Sequence, residues 1–175
     1  MENIKEATVT KNIVFTAMFI GIGIILPSIF HTANMAGNMF LPMHIPVLIC
    51  AIVCGYKYGM ICGFIVPIVS SVLTGMPPLF PVGIIMSLEL ACYGGVLGFL
   101  LKKYNIITSL ILTLLAGRIV SLIGNIIVFG LFKNTFVFSS FIIGAFVTSI
   151  PGIIIQIVLI PLIYKSLKKR GFVNA

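Results

Sequence analysis

The chain has 175 residues, of which 60% are hydrophobic and 8% are charged, and its mean hydropathy is +1.26. Because a soluble domain carries roughly a quarter charged residues, this composition excludes a water-soluble fold and indicates a protein whose main solvent is lipid. The net charge is +8, but the sequence contains no basic patch with interleaved aromatic residues. This pattern argues against nucleic-acid binding.

Six apolar stretches, separated by short polar or proline-containing segments, predict an all-α integral membrane protein that forms a bundle of six transmembrane helices. The second stretch is short for a span, and it begins with two prolines that a first helical turn tolerates. Pro67 inside the third stretch is expected to kink that helix, and the sixth stretch contains Pro151 and Pro161. The predicted helices cover residues 12–30, 42–55, 58–73, 82–101, 107–132 and 139–164.

The basic residues predict that both termini lie in the cytoplasm. With the N-terminus inside, Lys133 alone falls on the outer side and Arg118 lies within a span. The inner side then holds Lys5, Lys11, Lys57, Lys102, Lys103, Lys165, Lys168, Lys169 and Arg170. We therefore expect a multi-pass protein of the cell membrane with a cytoplasmic N-terminal segment (1–11), a transmembrane bundle (12–165) and a basic cytoplasmic tail (166–175).

Two charged side chains lie inside the predicted spans, Glu89 in the fourth helix and Arg118 in the fifth. An intramembrane charge costs about 2.5–3.5 kcal/mol on insertion scales, so such a residue usually faces a partner or a cavity. The two are not predicted to lie at the same depth, but a long arginine side chain can reach outward. Two interpretations stay open, a role in substrate binding and an interhelical ion pair that only holds the helices together.

Tyr93 and Asn125 extend this polar region. Tyr93 follows Glu89 by one helical turn and shares its face. Asn125 lies two turns outward of Arg118, at a depth that matches Glu89. Together they predict a half-depth polar pocket that opens outward, and the alternative is a hydrogen-bonded contact between helices without a ligand.

The outer loops add polar side chains near the mouth of this pocket, among them Asn38 and His44. Because His44 stands at a helix start between two prolines, we expect it to form a hydrogen bond with a small ligand. The chain has two histidines, and without acidic neighbours they make a poor metal site. Gln156 is expected to lie deeper and only to bond across helices.

Motifs of catalysis are missing from the chain. The sequence has no Gly-Lys-Ser/Thr phosphate loop, no aspartate, no His-Glu-x-x-His and no Gly-x-Ser-x-Gly motif. All four cysteines fall in apolar stretches, where they are interpreted as small hydrophobic residues. The sequence therefore predicts no enzyme, no ATPase activity and no cofactor.

Small residues recur at four-residue spacing, which lets helix backbones approach closely. The third helix and its preceding turn carry Gly55, Gly59 and Gly63, and the fourth helix carries Gly94 and Gly98. The first helix carries Ala17 and Gly21 at the same spacing. Packing within the bundle explains most of these residues, and a face that packs against another subunit has the same pattern.

The sequence resembles the substrate-binding S components of energy-coupling factor (ECF) transporters over about residues 12 to 165. The resemblance is carried by TAMFIGIGIILPSIFH, by FLPMHIPVLICAIVCGYKYGMICGFIVPIVSSVLTGMPPLFP and by MSLELACYGGVLGFLLKK, in that order. It implies a six-helix bundle that binds a vitamin or a vitamin precursor near the outer face. The implied partners are a transmembrane T component and two cytoplasmic ATPases, and delivery occurs as the S component topples in the membrane.

The resemblance also assigns roles to particular residues. The Ala-x-x-x-Ala pattern that docks such proteins onto the T component corresponds to Ala17 and Gly21, and the glycine keeps this face small. The His-x-Pro helix start at His44 and Pro46 resembles members assigned to hydroxymethylpyrimidine or pyridoxine. One acid, histidine, Asn and Tyr in the candidate pocket suit such a small polar heterocycle.

Two other functions are compatible with the residues. A self-sufficient ion-coupled transporter would use Glu89 as a proton site and would need no ATPase. A membrane assembly subunit would bind no ligand of its own, and its polar side chains would serve packing alone.

Overall fold

The structure is a computed structural model that describes residues 2–32, 41–131, 144 and 148–173, with side-chain detail for 8–29, 41–128, 144 and 148–173. Within these ranges the regular elements are helical. Five of the helices are long and apolar enough to cross a membrane, and one apolar helix is shorter. The helices are α1 (Glu2–Thr32), α2 (His44–Cys54), α3 (Tyr56–Thr74), α4 (Ile84–Leu100), α5 (Ile106–Leu131) and α6 (Ile150–Lys169).

This arrangement confirms the all-α membrane bundle of six helices, while the cytoplasmic placement of both termini stays a prediction. The first and last helices extend beyond their apolar stretches. No proline or glycine interrupts residues 2–20, so α1 begins at Glu2 and includes most of the expected N-terminal segment. It also continues past Pro27 to Thr32. At the other end, α6 continues to Lys169, four residues into the expected tail.

The beginning of α6 differs from the expected helix over 139–164. Of residues 139–147, only Gly144 belongs to the described part of the chain. Because α6 begins at Ile150, Pro151 lies in its first turn, where the missing backbone N–H has no intrahelical partner to lose. Pro151, expected inside the helix, therefore lies at its start, and Pro161 is the proline inside α6.

The connection between α3 and α4 lies where the sequence predicted a loop, over residues 74–81. Gly75 ends α3 in the left-handed region, with φ 72°, and donates its N–H to the Ser71 carbonyl. The Ser70 hydroxyl donates to the carbonyl of Met76 at 2.9 Å, which holds the turn against α3. Phe80 is extended, with φ −121° and ψ 134°, and the chain then leads into α4.

The closest helix pair is α3 and α4, and their glycines allow the close approach. A Cβ added at Gly63 would overlap the backbone carbonyl of Leu90, and one added at Gly94 would overlap that of Gly59. Side chains at these positions would force the helices apart. The small-residue pattern of these two helices is therefore explained by packing within the bundle.

The centre of the bundle is α2, although it is the shortest of the six helices. Nine of its eleven residues are buried, and it packs against α1, α3, α4 and α6. Its length of about 16 Å is roughly half of a bilayer's ~30 Å hydrocarbon thickness. A buried helix this short starts inside the bundle, so its first residue, His44, is held in the interior.

Candidate functional site

A buried ion pair joins the middle of α4 to the middle of α5. The Arg118 Nη1 atom lies 3.0 Å from Glu89 Oε1, and the two side chains are 12% and 7% exposed. The expected reach of the long arginine side chain is thereby confirmed. Because breaking such a pair leaves an uncompensated charge in a medium of low dielectric constant, the two residues hold each other in place.

Tyr93 belongs to the same network, as its position one turn after Glu89 predicted. Its hydroxyl donates a hydrogen bond to Glu89 Oε1 at 2.9 Å, and its side chain is fully buried. The ring packs against Gly117 of α5, where an added Cβ would overlap ring carbons. Gly117 is a positioning residue that the sequence reasoning missed, and its only signal was its place next to an intramembrane arginine.

His44 completes the group of side chains that we call the polar centre: His44, Glu89, Tyr93 and Arg118. The imidazole centroid lies 5.2 Å from that of the Tyr93 ring, with 52° between the ring planes. The backbone N–H of His44 donates to the Leu41 carbonyl at 3.1 Å, which forms the turn into α2. The sequence placed His44 near the mouth of the pocket and Arg118 at a different depth from Glu89, and the structure brings these side chains together with Tyr93.

The imidazole of His44 is buried without hydrogen bonds. The residue is 2% exposed, and neither ring nitrogen has a hydrogen-bond partner among the described residues. The Leu41 carbonyl lies near the ring, but it does not form a hydrogen bond of standard geometry with either nitrogen. Buried polar groups in proteins are nearly always bonded, so this histidine has an unmet capacity for one donor and one acceptor.

The two predicted asparagines are not part of this network. Asn125 is half-buried, and its Nδ2 donates to the Ser121 carbonyl of its own helix at 2.8 Å. In the described part of the chain no hydrogen bond connects Asn125 with Glu89. Asn38 lies outside the described residues. Glu89, Tyr93 and Asn125 were expected to meet at half depth. Glu89 and Tyr93 form a hydrogen bond, whereas Asn125 bonds to a backbone carbonyl of its own helix.

Ala17 and Gly21 lie on the outer face of α1. Ala17 is exposed, and a Cβ added at Gly21 would meet no atom within 4 Å. Two residues further on, Gly23 is turned inward, because a Cβ there would come within 2.9 Å of Val66. Contacts with the described residues therefore do not explain the small pair at 17 and 21.

The cysteines behave as buried apolar residues. Cys50, Cys54 and Cys62 are at most 5% exposed, and the Cys50 thiol lies 3.7 Å from the Thr16 hydroxyl. Across the described ranges, no three His, Cys, Asp or Glu side chains are arranged to hold a metal ion.

An apolar groove opens between α5 and α6 and reaches Arg118. Its volume is about 190 Å³, and Leu114 and Leu115 of α5 face Ile153 and Ile157 of α6 across it. Ile157 and Leu115 are 39% and 51% exposed. The groove therefore connects the lipid-facing surface with one end of the polar centre.

Comparison with known proteins identifies the class of molecule to which this bundle belongs. A family model described as the substrate-specific component of ECF transporters matches residues 11–164, which include the whole polar centre. No curated protein and no solved structure matches the chain. The match covers most of the chain, and the helices in it are long and apolar enough for a multi-pass protein of the cell membrane. The chain belongs to the family of substrate-specific components of ECF transporters.

Proposed function

We propose that this protein binds a vitamin or a vitamin precursor with a single polar heterocyclic ring at the polar centre. The observation that carries the proposal is the unbonded imidazole of His44 beside the Tyr93 ring. A substrate-binding subunit needs polar groups that are left open for its ligand, and neither ring nitrogen of His44 has a hydrogen-bond partner among the described residues.

The polar centre favours a small and neutral ligand. Glu89 and Arg118 neutralise each other at 3.0 Å, so a charged ligand would have no free counter-charge among these four residues. A neutral imidazole offers one N–H donor and one acceptor nitrogen. A ring that carries hydroxyl groups and ring nitrogens complements both, and hydroxymethylpyrimidine and pyridoxine have this chemistry.

The partners that we propose are a transmembrane T component and two cytoplasmic ATPases. The chain has no phosphate-binding loop of its own, so in this proposal ATP is hydrolysed by other subunits. The outer face of α1 offers a place for the T component, since Ala17 and Gly21 let a second helix approach its backbone closely.

The test is thermal unfolding of the detergent-purified protein against a panel of B vitamins, their precursors and nucleobases. A compound at about a hundred times its dissociation constant stabilises the native state by ~2.7 kcal/mol, so a substrate should raise Tm clearly. The variant His44→Phe should lose this shift. Tyr104→Phe is the control, because Tyr104 is exposed and outside the polar centre.

Two results would contradict the proposal. A panel that leaves Tm unchanged throughout would favour an assembly subunit without a ligand. Uptake of a panel compound by cells that lack T component and ATPases, abolished by an uncoupler, would favour the self-sufficient ion-coupled transporter.

A further inference from the structure

Gln156 of α6 is a second buried side chain whose hydrogen bonds are unmet. The residue is 0% exposed, and neither Oε1 nor Nε2 has a partner among the described residues. The sequence led us to expect a bond across helices, and the structure shows none there. A carboxamide buried in this way loses its bonds to water without gaining others, so its presence needs a reason.

The depth of Gln156 matches that of the polar centre. Its helix neighbours Ile153 and Ile157 line the apolar groove together with Arg118, so this turn of α6 lies level with the Glu89–Arg118 pair. The groove thus shows that this part of α6 lies beside the part of α5 that carries Arg118.

Gln156 also points into the bundle rather than toward the groove's lipid-facing side. Gly152, Gln156 and Ile160 are the buried residues of α6, they share one helix face, and α6 packs against α2. Gln156 therefore lies on the face of α6 that is turned toward the interior, and the helix that carries His44 packs against α6.

Resting on the proposed function, we infer that Gln156 is a specificity-determining residue that binds a neighbouring donor and acceptor on the edge of the substrate ring. A carboxamide presents a carbonyl acceptor and an N–H donor side by side. Such a group forms two parallel hydrogen bonds with an exocyclic amine and the adjacent ring nitrogen, as glutamine does with adenine in nucleic-acid recognition. His44 then bonds the same ring from α2, and the substrate class narrows to aminopyrimidine-like heterocycles.

The test compares two ligands that differ in one amine, 4-amino-5-hydroxymethyl-2-methylpyrimidine and its analogue without the 4-amino group. The native protein should bind the amine-bearing compound roughly tenfold more tightly or better, since a buried partner left unbonded is costly. Gln156→Leu should bind both compounds with similar affinity. His44→Phe is the matched control and should weaken both compounds while preserving their ratio.

A second measurement uses the ligand-free protein. Gln156→Met keeps the length of the side chain and removes the unmet polar atoms, so its Tm should equal or exceed that of the native protein. A clear fall in Tm would mean that the amide is bonded in the resting bundle, and it would overturn the inference.

The outcomes separate this inference from the proposed function. Suppose that the native protein binds a panel compound through His44, and that Gln156→Leu discriminates between the two ligands as well as the native protein does. This result would overturn the role of Gln156 alone. A native protein that binds no compound of the panel would overturn both.

Discussion

At the scale of single residues, the interior of the protein is organised by one ion pair. Glu89 accepts hydrogen bonds from Arg118 at 3.0 Å and from Tyr93 at 2.9 Å, and both reach the same carboxylate oxygen. Because Tyr93 in turn lies against His44, the pair orients the side chains that are proposed to contact substrate. A structural and a binding role are thus compatible, since the ion pair positions the residues beside the ligand.

The ion pair predicts strong coupling between its two members. Glu89→Gln leaves Arg118 as a lone buried charge, and we expect the free energy of unfolding to fall by about 3–5 kcal/mol. The double variant Glu89→Gln with Arg118→Gln removes both charges and should recover a large part of that loss. Chemical unfolding in detergent measures the cycle, and additive effects of the two substitutions would show that the pair contributes no coupling.

Gly117 predicts an effect on ligand binding through Tyr93. An alanine methyl at position 117 overlaps the Tyr93 ring, so Gly117→Ala should displace the ring and weaken ligand binding, together with an overpacking cost of about 1–3 kcal/mol. Gly124→Ala is the matched control in the same helix, because its Cβ would lie 3.2 Å from a side-chain methyl of Ile85 that can move. Equal affinities of both variants would show that Tyr93 does not orient the site.

At the scale of helices, the close contact between α3 and α4 positions the helix that carries the ion-pair carboxylate. Their glycines interdigitate backbone against backbone, and α4 carries both Glu89 and Tyr93. The position of the polar centre relative to α2 thus depends on residues that have no polar group themselves.

Alanine substitutions of glycines in these two helices should show whether the close approach of their backbones matters for stability. Gly63→Ala places a methyl group into the Leu90 carbonyl, and we expect the free energy of unfolding to fall by about 1–3 kcal/mol or more. Gly95→Ala should change it little, because its Cβ would lie 3.7 Å from the nearest atom, Met60 Sδ. If thermal unfolding gave the two alanine variants the same Tm, the close helix contact would not be important for stability.

At the scale of the whole molecule, the exposed apolar surface of the described helices is not uniform. Most exposed positions on the long helices carry large side chains such as Ile13, Ile107 and Ile154, as expected of a surface in contact with lipid. The outer face of α1 differs at Ala17 and Gly21, where small residues leave the backbone accessible.

This difference predicts where the T component binds. The double variant Ala17→Trp with Gly21→Trp should prevent co-purification with a coexpressed T component and its ATPases, because two indole rings keep a partner helix away from the backbone. The ligand-induced shift in Tm should be retained. Ile154→Trp, an equally bulky change at a 56% exposed position of α6, is the control and should co-purify normally. An intact complex with the double variant would place the docking surface elsewhere.

The sequence alone predicts that the protein lies in lipid, that it is all-helical, and where its charged residues lie within the membrane. These features depend on local composition and on the helix length that a membrane imposes. The pairing of Tyr93 with Glu89 follows as well, since one helical turn separates them. Helix bounds at α1 and α6 were harder to predict, because apolar length marks the membrane and not the ends of the backbone hydrogen bonds.

Only the tertiary structure shows that the short α2 is central, that Arg118 reaches Glu89, and that the side chains of His44 and Gln156 are buried with no hydrogen-bond partner among the described residues. These features depend on which faces of distant helices meet. The sequence does not show whether the partner of a polar side chain is a neighbouring helix or a ligand. The difference becomes visible only when the packed helices leave the polar atoms without a partner.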